Sequence, residues 1–574
     1  GGGFVGVGIS AAVGVVHIDT DATIRTGADV FAGGDVIVTA IGAESIVAAA
    51  ASLGGGFVGV AGAASVIALN VRTHATLERV TVHALGSIIV DAASDTSIVI
   101  VAGGAAGGFV GVGIGVAVTS VTKDTQASVA AGSTLDAEAR TPALSGILSG
   151  AFANSGTFGL RPGFSGLAVQ ARATQDVFGL AVSLGAGFVG VGVSVNTTIL
   201  TVTTRAFIDS TSAARTRINQ ASTGSAAQSV SVTAANASRT LTVAGAAGIG
   251  AVGVSGGIDV GVLSVATQAW IGEYAVISVA RDFALSALAS ADVSTFGLSV
   301  GAGVVGAAGA VSVWSVGMPS SDTYSDGGTG NANATQYGDQ NALDDADNNA
   351  SGQNGGYRDI LSGVGSNTGS KADAHIGTAV SGAGSAVGGA APNDPGVRAA
   401  FESTTLPRGT SAVLGRGVIV TAGQSVSLDA TEQNTYVGAA GAAAAGLAGF
   451  GGAVVIANLK SNVEARVSTA VVITTGTGNV RVAATTTERS QGAAFAGAAG
   501  GVTVTGQIVH INSDAAQTAE VVDGAEIPTA GGTVSVLATA DRDVRASTLG
   551  GGFAAVAAGA SIALANISGD TRAL

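Results

Sequence analysis

Apolar and polar residues alternate one for one along most of this chain, and a five-residue version of that alternation, Thr-x-Ala-x-[Ile/Leu/Val], keeps returning. Its alanine stands at Ala22, Ala75, Ala127, Ala206, Ala269, Ala374, Ala465, Ala519 and Ala573, in full copies or copies with one position changed. The steps are 53, 52, 79, 63, 105, 91, 54 and 54 residues, so the undisturbed unit is near 53 and the longer steps carry insertions. The residue before the alanine is polar in every copy, Asp21, His74, Gln126 and Arg205 among them, and reads as a water-facing column. Two residues after it stand Ile24, Leu77, Val129, Ile208 and their equivalents, which with the alanine make one apolar face at period two, the mark of a half-buried strand. Thr20, Thr73, Thr125, Thr204, Thr267 and Thr571 share the alanine's face, where stacked threonines are placed to exchange hydroxyl hydrogen bonds.

A second strand is expected about 18 residues on, of the form hydrophobic-x-hydrophobic-x-Ala, as in Val36 to Ala40, Ile88 to Ala92, Val230 to Ala234 and Val534 to Ala538. A third element is the run Gly1-Gly2-Gly3-Phe4-Val5-Gly6-Val7-Gly8, restated at Gly54 to Val60, Gly107 to Val112 and Gly187 to Val191. In a strand this puts Val5 and Val7 on one face and Gly6 and Gly8 on the other, which leaves a flat surface for a neighbouring sheet. Glycine there costs roughly 0.5 to 1 kcal/mol against alanine, so its return in unit after unit points to a packing requirement. Together these elements predict an all-β chain: a parallel β-solenoid, or β-helix, of about nine repeats of roughly 53 residues, with loop insertions; one wide coil per repeat is the favoured reading and two smaller coils the alternative.

Composition sharpens this picture. Charged residues are 11% and glycine fills 91 of the 574 positions, a balance that suits a stack whose backbone is hidden in inter-strand bonds better than it suits a globular enzyme. Ile98 to Thr122 carries no charge over 25 residues, yet its β-branched, Gly-rich period-two pattern reads as strand, and no membrane-spanning segment is expected. With 2 Trp and 5 Tyr there are no aromatic girdles for a membrane barrel. A net charge of −14 with no basic cluster argues against nucleic acid as a partner, and with no Cys any stability must come from the stack itself.

The expected organisation is solenoid over 1–317 with insertions near 140–166 and 210–224, then Asp/Asn/Gly/Ser-rich insertions over 318–415 interrupted by a strand at 371–376, then solenoid over 416–574. Both chain ends fall inside repeats, so the solenoid is expected to continue beyond them. Asp344, Asp345, Asp347 and Asn349 in the longest insertion are the candidate ligands for Ca²⁺, whose six to eight oxygen ligands such side chains supply. An EF-hand reading of them fails, because Ala350 stands where glycine is needed and Gly356 where the bidentate glutamate belongs, so no cofactor is required and Ca²⁺ is the one metal considered. The histidines His17, His74, His83, His375 and His510 form no column and are expected to be scattered over the surface. Asp19 and Asp21 share an outward face about 6 to 7 Å apart, but Arg72 and His74 occupy the equivalent places one unit on, so no acidic cleft continues. Phe207 and Trp270 point outward in one motif column as isolated aromatics, and the glycine runs lack the Lys-[Ser/Thr] ending of a phosphate loop.

Thr-x-Ala-x-Ile, the segment Ala32 to Ala40 and the Gly-Gly-Gly-Phe-Val-Gly-Val-Gly run together resemble the repeat regions of very large bacterial surface proteins of the filamentous haemagglutinin and leukotoxin-like filamentous adhesin type. The resemblance covers most of the chain outside the insertions. It implies a non-enzymatic structural or adhesive segment of an exported cell-surface fibre, which spans distance and contacts other cell surfaces, matrix or copies of itself. A self-assembling sheath or surface layer, and a carbohydrate-active β-helix enzyme, are the alternative readings.

Overall fold

The computed structural model describes residues 1–154, 156–220, 224–317, 409–529 and 531–574. Among them the chain is built of strands and the turns between them, with no helix. Val36–Leu77 shows the unit: one strand of 42 residues that runs out, doubles back over Gly54 to Phe57, and returns. At the apex the two limbs are so close that a Cβ on Gly54 would stand 2.2 Å from the carbonyl oxygen of Val60. The four-residue strand Thr81–Ala84 then closes the third, short side, and Ile88–Val129 begins the next unit.

Every outgoing limb, returning limb and short side pairs in parallel with its equivalent one unit along. Ala22, Ala75, Ala127, Ala206 and Ala269 lie directly opposite one another down one column. Ala40, Ala92, Ala171, Ala234 and Ala287 do the same down the outgoing limbs, and the short strands Asp29–Ala32, Thr81–Ala84 and Thr134–Ala137 stack likewise. The result is consistent with a β-helix or solenoid, with one unit of about 53 residues making one circuit. Such register is enforced by the period-two pattern, since a slip of one residue would turn the whole apolar face to water.

From its broad base to its apex each unit has four internal layers. At the base the three sides converge on Leu77, Val82, Ile88 and Val90, all fully buried, and on their stacked equivalents, of which those in the end units, such as Ile24 and Val521, are partly buried. Each such side chain contributes about 1.5 to 3 kcal/mol by leaving water. Next comes a polar layer holding Thr73, Ser94, Thr96, Lys123 and Thr125. A second apolar cluster follows, with Ile98, Ile100, Val121 and Trp314. Towards the apex glycine, alanine and serine face inward in most units, Thr503, Thr505 and Gln507 being the exceptions in one of them: Cβ atoms on Gly113 and Gly115 would lie 2.2 and 2.3 Å from the carbonyl oxygens of Leu184 and Val182. The flat glycine face therefore serves the close sheet-to-sheet approach that its recurrence predicts.

Three expectations change. The threonine column faces inward, but Thr73, Thr125 and Thr267 keep buried hydroxyls with no partner. The copy assigned to Ala374, with the strand at 371–376, lies outside the described residues. Its place in the column is taken by Ala412 in Thr410–Leu414, which pairs with Ala269 on one side and Ala465 on the other. That strand falls inside the stretch 318–415 read as insertion, and the excursion leaves and rejoins a single returning limb. It departs at Gly317 (φ 114°) and returns at Gly409 (φ 59°), a left-handed backbone that favours glycine, where a Cβ would also strike the neighbouring strand's carbonyls. The insertion near 140–166 forms an antiparallel hairpin, Leu148–Asn154 with Thr157–Leu160, laid over the outward-facing Ala235 and Leu288. The one near 210–224 contains Arg217–Ile218, the short side of its own unit.

Replacing Thr125 by valine removes a buried hydroxyl without changing shape. We expect Thr125→Val to be neutral or to raise unfolding free energy by about 1 kcal/mol in urea titrations, and a comparable loss would show that the hydroxyl has a partner.

Candidate functional site

The outer surface near the base is held by ion pairs that step from unit to unit. Arg72 donates to Asp21 at 2.9 Å across adjacent strands. Arg205 donates to both oxygens of Asp124 at 2.8 Å, and His74 lies 3.0 Å from the same carboxylate. Burial works to raise the Asp124 carboxyl, but the bonds from His74 and Arg205 outweigh it and hold the group below the usual carboxylate range. These pairs are diagonal contacts between two neighbouring outward columns of adjacent units, and the partly exposed ones contribute little each.

The interior polar layer holds stronger perturbations. Lys123 is 1% exposed, and its Nζ donates to the carbonyls of Ser94 and Thr174 at 2.8 Å and to Thr96 Oγ1 at 2.9 Å. Thr96 in turn donates to Glu44 at 2.8 Å, so a cation reaches a carboxylate through one hydroxyl. Burial pulls the Lys123 ammonium down to about 7, partly countered by Glu44 and Asp95. In the second apolar cluster Asp259 is fully buried. Asn196 Nδ2 donates to it at 2.7 Å, Thr242 Oγ1 at 2.6 Å and Trp314 Nε1 at 2.9 Å, with Thr295 as a fourth donor. Burial still pushes its carboxyl above the usual range. Glu432, bonded by Thr410 and Asn434, is raised by the same cause, with Glu488 adding to it. Each is enclosed by the stack, which makes them structural plugs rather than groups a substrate reaches. A cavity beside Glu432 and Asn434 measures about 10 Å³, room for one water.

The residues singled out by sequence are dispersed. Asp344, Asp345, Asp347 and Asn349 lie outside the described residues, as does His375; among the described residues no group of three or more His, Asp or Glu is placed to hold a metal. Asp19 lies 3.2 Å from His17 and Asp21 is taken by Arg72, so each carboxylate is engaged by a neighbour and the two do not face a common cleft. The histidines are not all on the surface: His74 and His510 are buried, the first against Asp124 and the second 3.2 Å from Asn566. Nor are Phe207 and Trp270 isolated, since the in-register stack lays one ring on the other at 4.0 Å. That contact occupies one face of each ring. Lys123, Asp259 and Glu432 escaped sequence reading, although each interrupts an inward column at a position whose parity the motif fixes.

Lys123 sets a pH test. Its folded value of about 7 lies below the ordinary value of 10.5, so the unfolded chain binds more protons between the two, and stability rises with pH there. The contribution is fully present above 10.5, is lost as pH falls toward 7, and changes no further below. Urea unfolding at pH 7 and pH 9 is expected to show a gain for the wild type that Lys123→Met lacks, approaching about 1.4 kcal/mol per pH unit. Parallel gains in both chains would contradict the burial of this charge.

Comparison with known proteins brings no relative to this geometry: no family model, no curated protein and no solved structure matches the chain.

Proposed function

We propose that this chain is a parallel β-solenoid segment, of about nine repeats of roughly 53 residues, from a very large exported bacterial surface protein of the filamentous haemagglutinin type. Its role on this reading is structural and adhesive and involves no catalysis: it presents broad faces to other cells, matrix or copies of itself. The observation that carries the reading is the column pattern, in which inward positions repeat from unit to unit while outward ones vary, as in Asp19, Arg72, Asp124 and Thr203.

Unit geometry shifts the emphasis within that role. About 53 residues advance the stack by one strand spacing of about 4.8 Å, whereas a 20-residue limb extends about 65 Å sideways. Such a unit is a costly way to span distance and an effective way to present lateral surface. Contact, more than reach, is therefore the function we assign.

Beads coated with the purified chain, mixed with bacterial cells, matrix-coated plates and uncoated polysaccharide gels, test this directly. We expect adhesion to at least one surface above that of albumin-coated beads, with no new reducing ends released from the polysaccharide. Release of reducing or unsaturated ends without adhesion would replace this reading by that of a carbohydrate-active enzyme.

A further inference from the structure

The apex of the stack carries an outer surface unlike the rest. Phe57, Phe109 and Phe188 occupy the turning point of successive units, 47 to 55% exposed, and stack ring on ring with Phe4 at 4.9 to 5.1 Å. Val304 and Leu447 continue the same ridge at 52% and 70% exposure. On each side of the ridge the four nearest outward columns hold only Gly, Ala, Val, Leu, Ile or Phe, Ser547 excepted. No charged side chain points outward there.

The apolar zone ends at the same depth on both faces. On the outgoing face single polar side chains, Ser294, Gln491 and Arg545, enter the column ten residues before Phe109, and twelve before it the column of Ser97, Asp176, Arg239 and Arg489 begins the continuous polar surface. On the returning face, eleven to thirteen residues after it, Ser120, Thr122, Lys460 and Asp514 do so. Between these limits the backbone amides pair from unit to unit, and inward glycines close the space between the limbs. The zone is therefore a thin wedge, apolar on both sides and along its edge, with its main-chain polar groups satisfied from unit to unit everywhere but on the outer edges of the two end units. That is what a hydrocarbon medium requires of a protein surface. From Val101 to Phe109 its depth is about 26 Å, against about 30 Å for the hydrocarbon core of a bilayer.

We propose that this wedge enters a lipid bilayer edge-on, with the stack axis in the membrane plane and the phenylalanine ridge deepest. It enters without crossing, and it does so with strands; no helix among the described residues is long and apolar enough to cross a membrane. The observation that selects lipid over a second copy of the chain is the common depth of the two polar boundaries. A face-to-face contact between copies would cover one face and leave the Phe57–Phe109–Phe188 ridge in water, whereas a planar interface demands equal depth on both faces. The proposal stands apart from the adhesive reading, and either can fail alone.

The test uses the full chain with phosphatidylcholine vesicles in a flotation gradient, together with two single variants at exposed sites, Phe109→Trp and Thr122→Trp. We expect the chain to float with the vesicles. Acyl-chain-brominated lipid should quench the added fluorescence of Phe109→Trp at least twofold more than that of Thr122→Trp. Three results overturn the proposal: failure to float, equal quenching at the two positions, or a multimer that shields the Phe109→Trp indole from an aqueous quencher without vesicles. The last would assign the wedge to a second copy.

Discussion

Two extended sheets can lie closer than the usual face-to-face spacing of about 10 Å only where neither sends a side chain inward. The apical half of most units approaches that rule, with glycine, alanine or serine inward, and the unit carrying Thr503, Thr505 and Gln507 departs from it. Inward Gly111, Gly113 and Gly115 stand so close to the opposing limb that a methyl group on any of them would fall within 2.3 Å of a carbonyl oxygen. Because the limbs are pressed together, all bulk in this half must point outward, and because water cannot enter, the backbone must satisfy itself from unit to unit. The long unbroken strands, the thinness of the wedge and its apolar exterior all descend from that one packing condition.

Nearer the base the limbs diverge around the short third side, and real side chains return. The buried polar groups are the least economical part of the molecule: Lys123 and Glu432 in the layer between the two apolar clusters, and Asp259 within the second cluster, are desolvated, and their hydrogen bonds offset that cost only in part. The same groups act at single units and not along whole columns, so they distinguish one unit from the next. A stack of near-identical strands is open to slippage by a whole unit, and a buried charge with dedicated donors in its own neighbours resists that slip.

Much of this was legible in the residues. Alternation fixed the inward and outward faces of Thr125-Gln126-Ala127, and the glycine runs pointed to a close approach of sheets, though not to the reversal of the chain at Gly54 to Phe57. Spacing favours Thr410-Ser411-Ala412-Val413-Leu414, 53 residues before Ala465, over Ala374, and it is Ala412 that stands between Ala269 and Ala465. The short sides, such as Thr81–Ala84, were missed because four residues show too little alternation to stand out. The polar plugs and the Phe207–Trp270 stack depend on which units become neighbours, and a single unit's pattern does not contain that.

The close approach of the limbs is tested most directly by a pair of glycines one column apart in kind. An added methyl on Gly113 would meet the Leu184 carbonyl at 2.2 Å, whereas Gly62, on the outward face, has nothing within 4 Å. Equilibrium urea unfolding should show Gly113→Ala destabilised by about 1 to 3 kcal/mol, as overpacking predicts, and Gly62→Ala unchanged or stabilised by about 0.5 to 1 kcal/mol. Equal effects at the two positions would mean that the limbs do not meet backbone to backbone, and the account of the fold would fail with them.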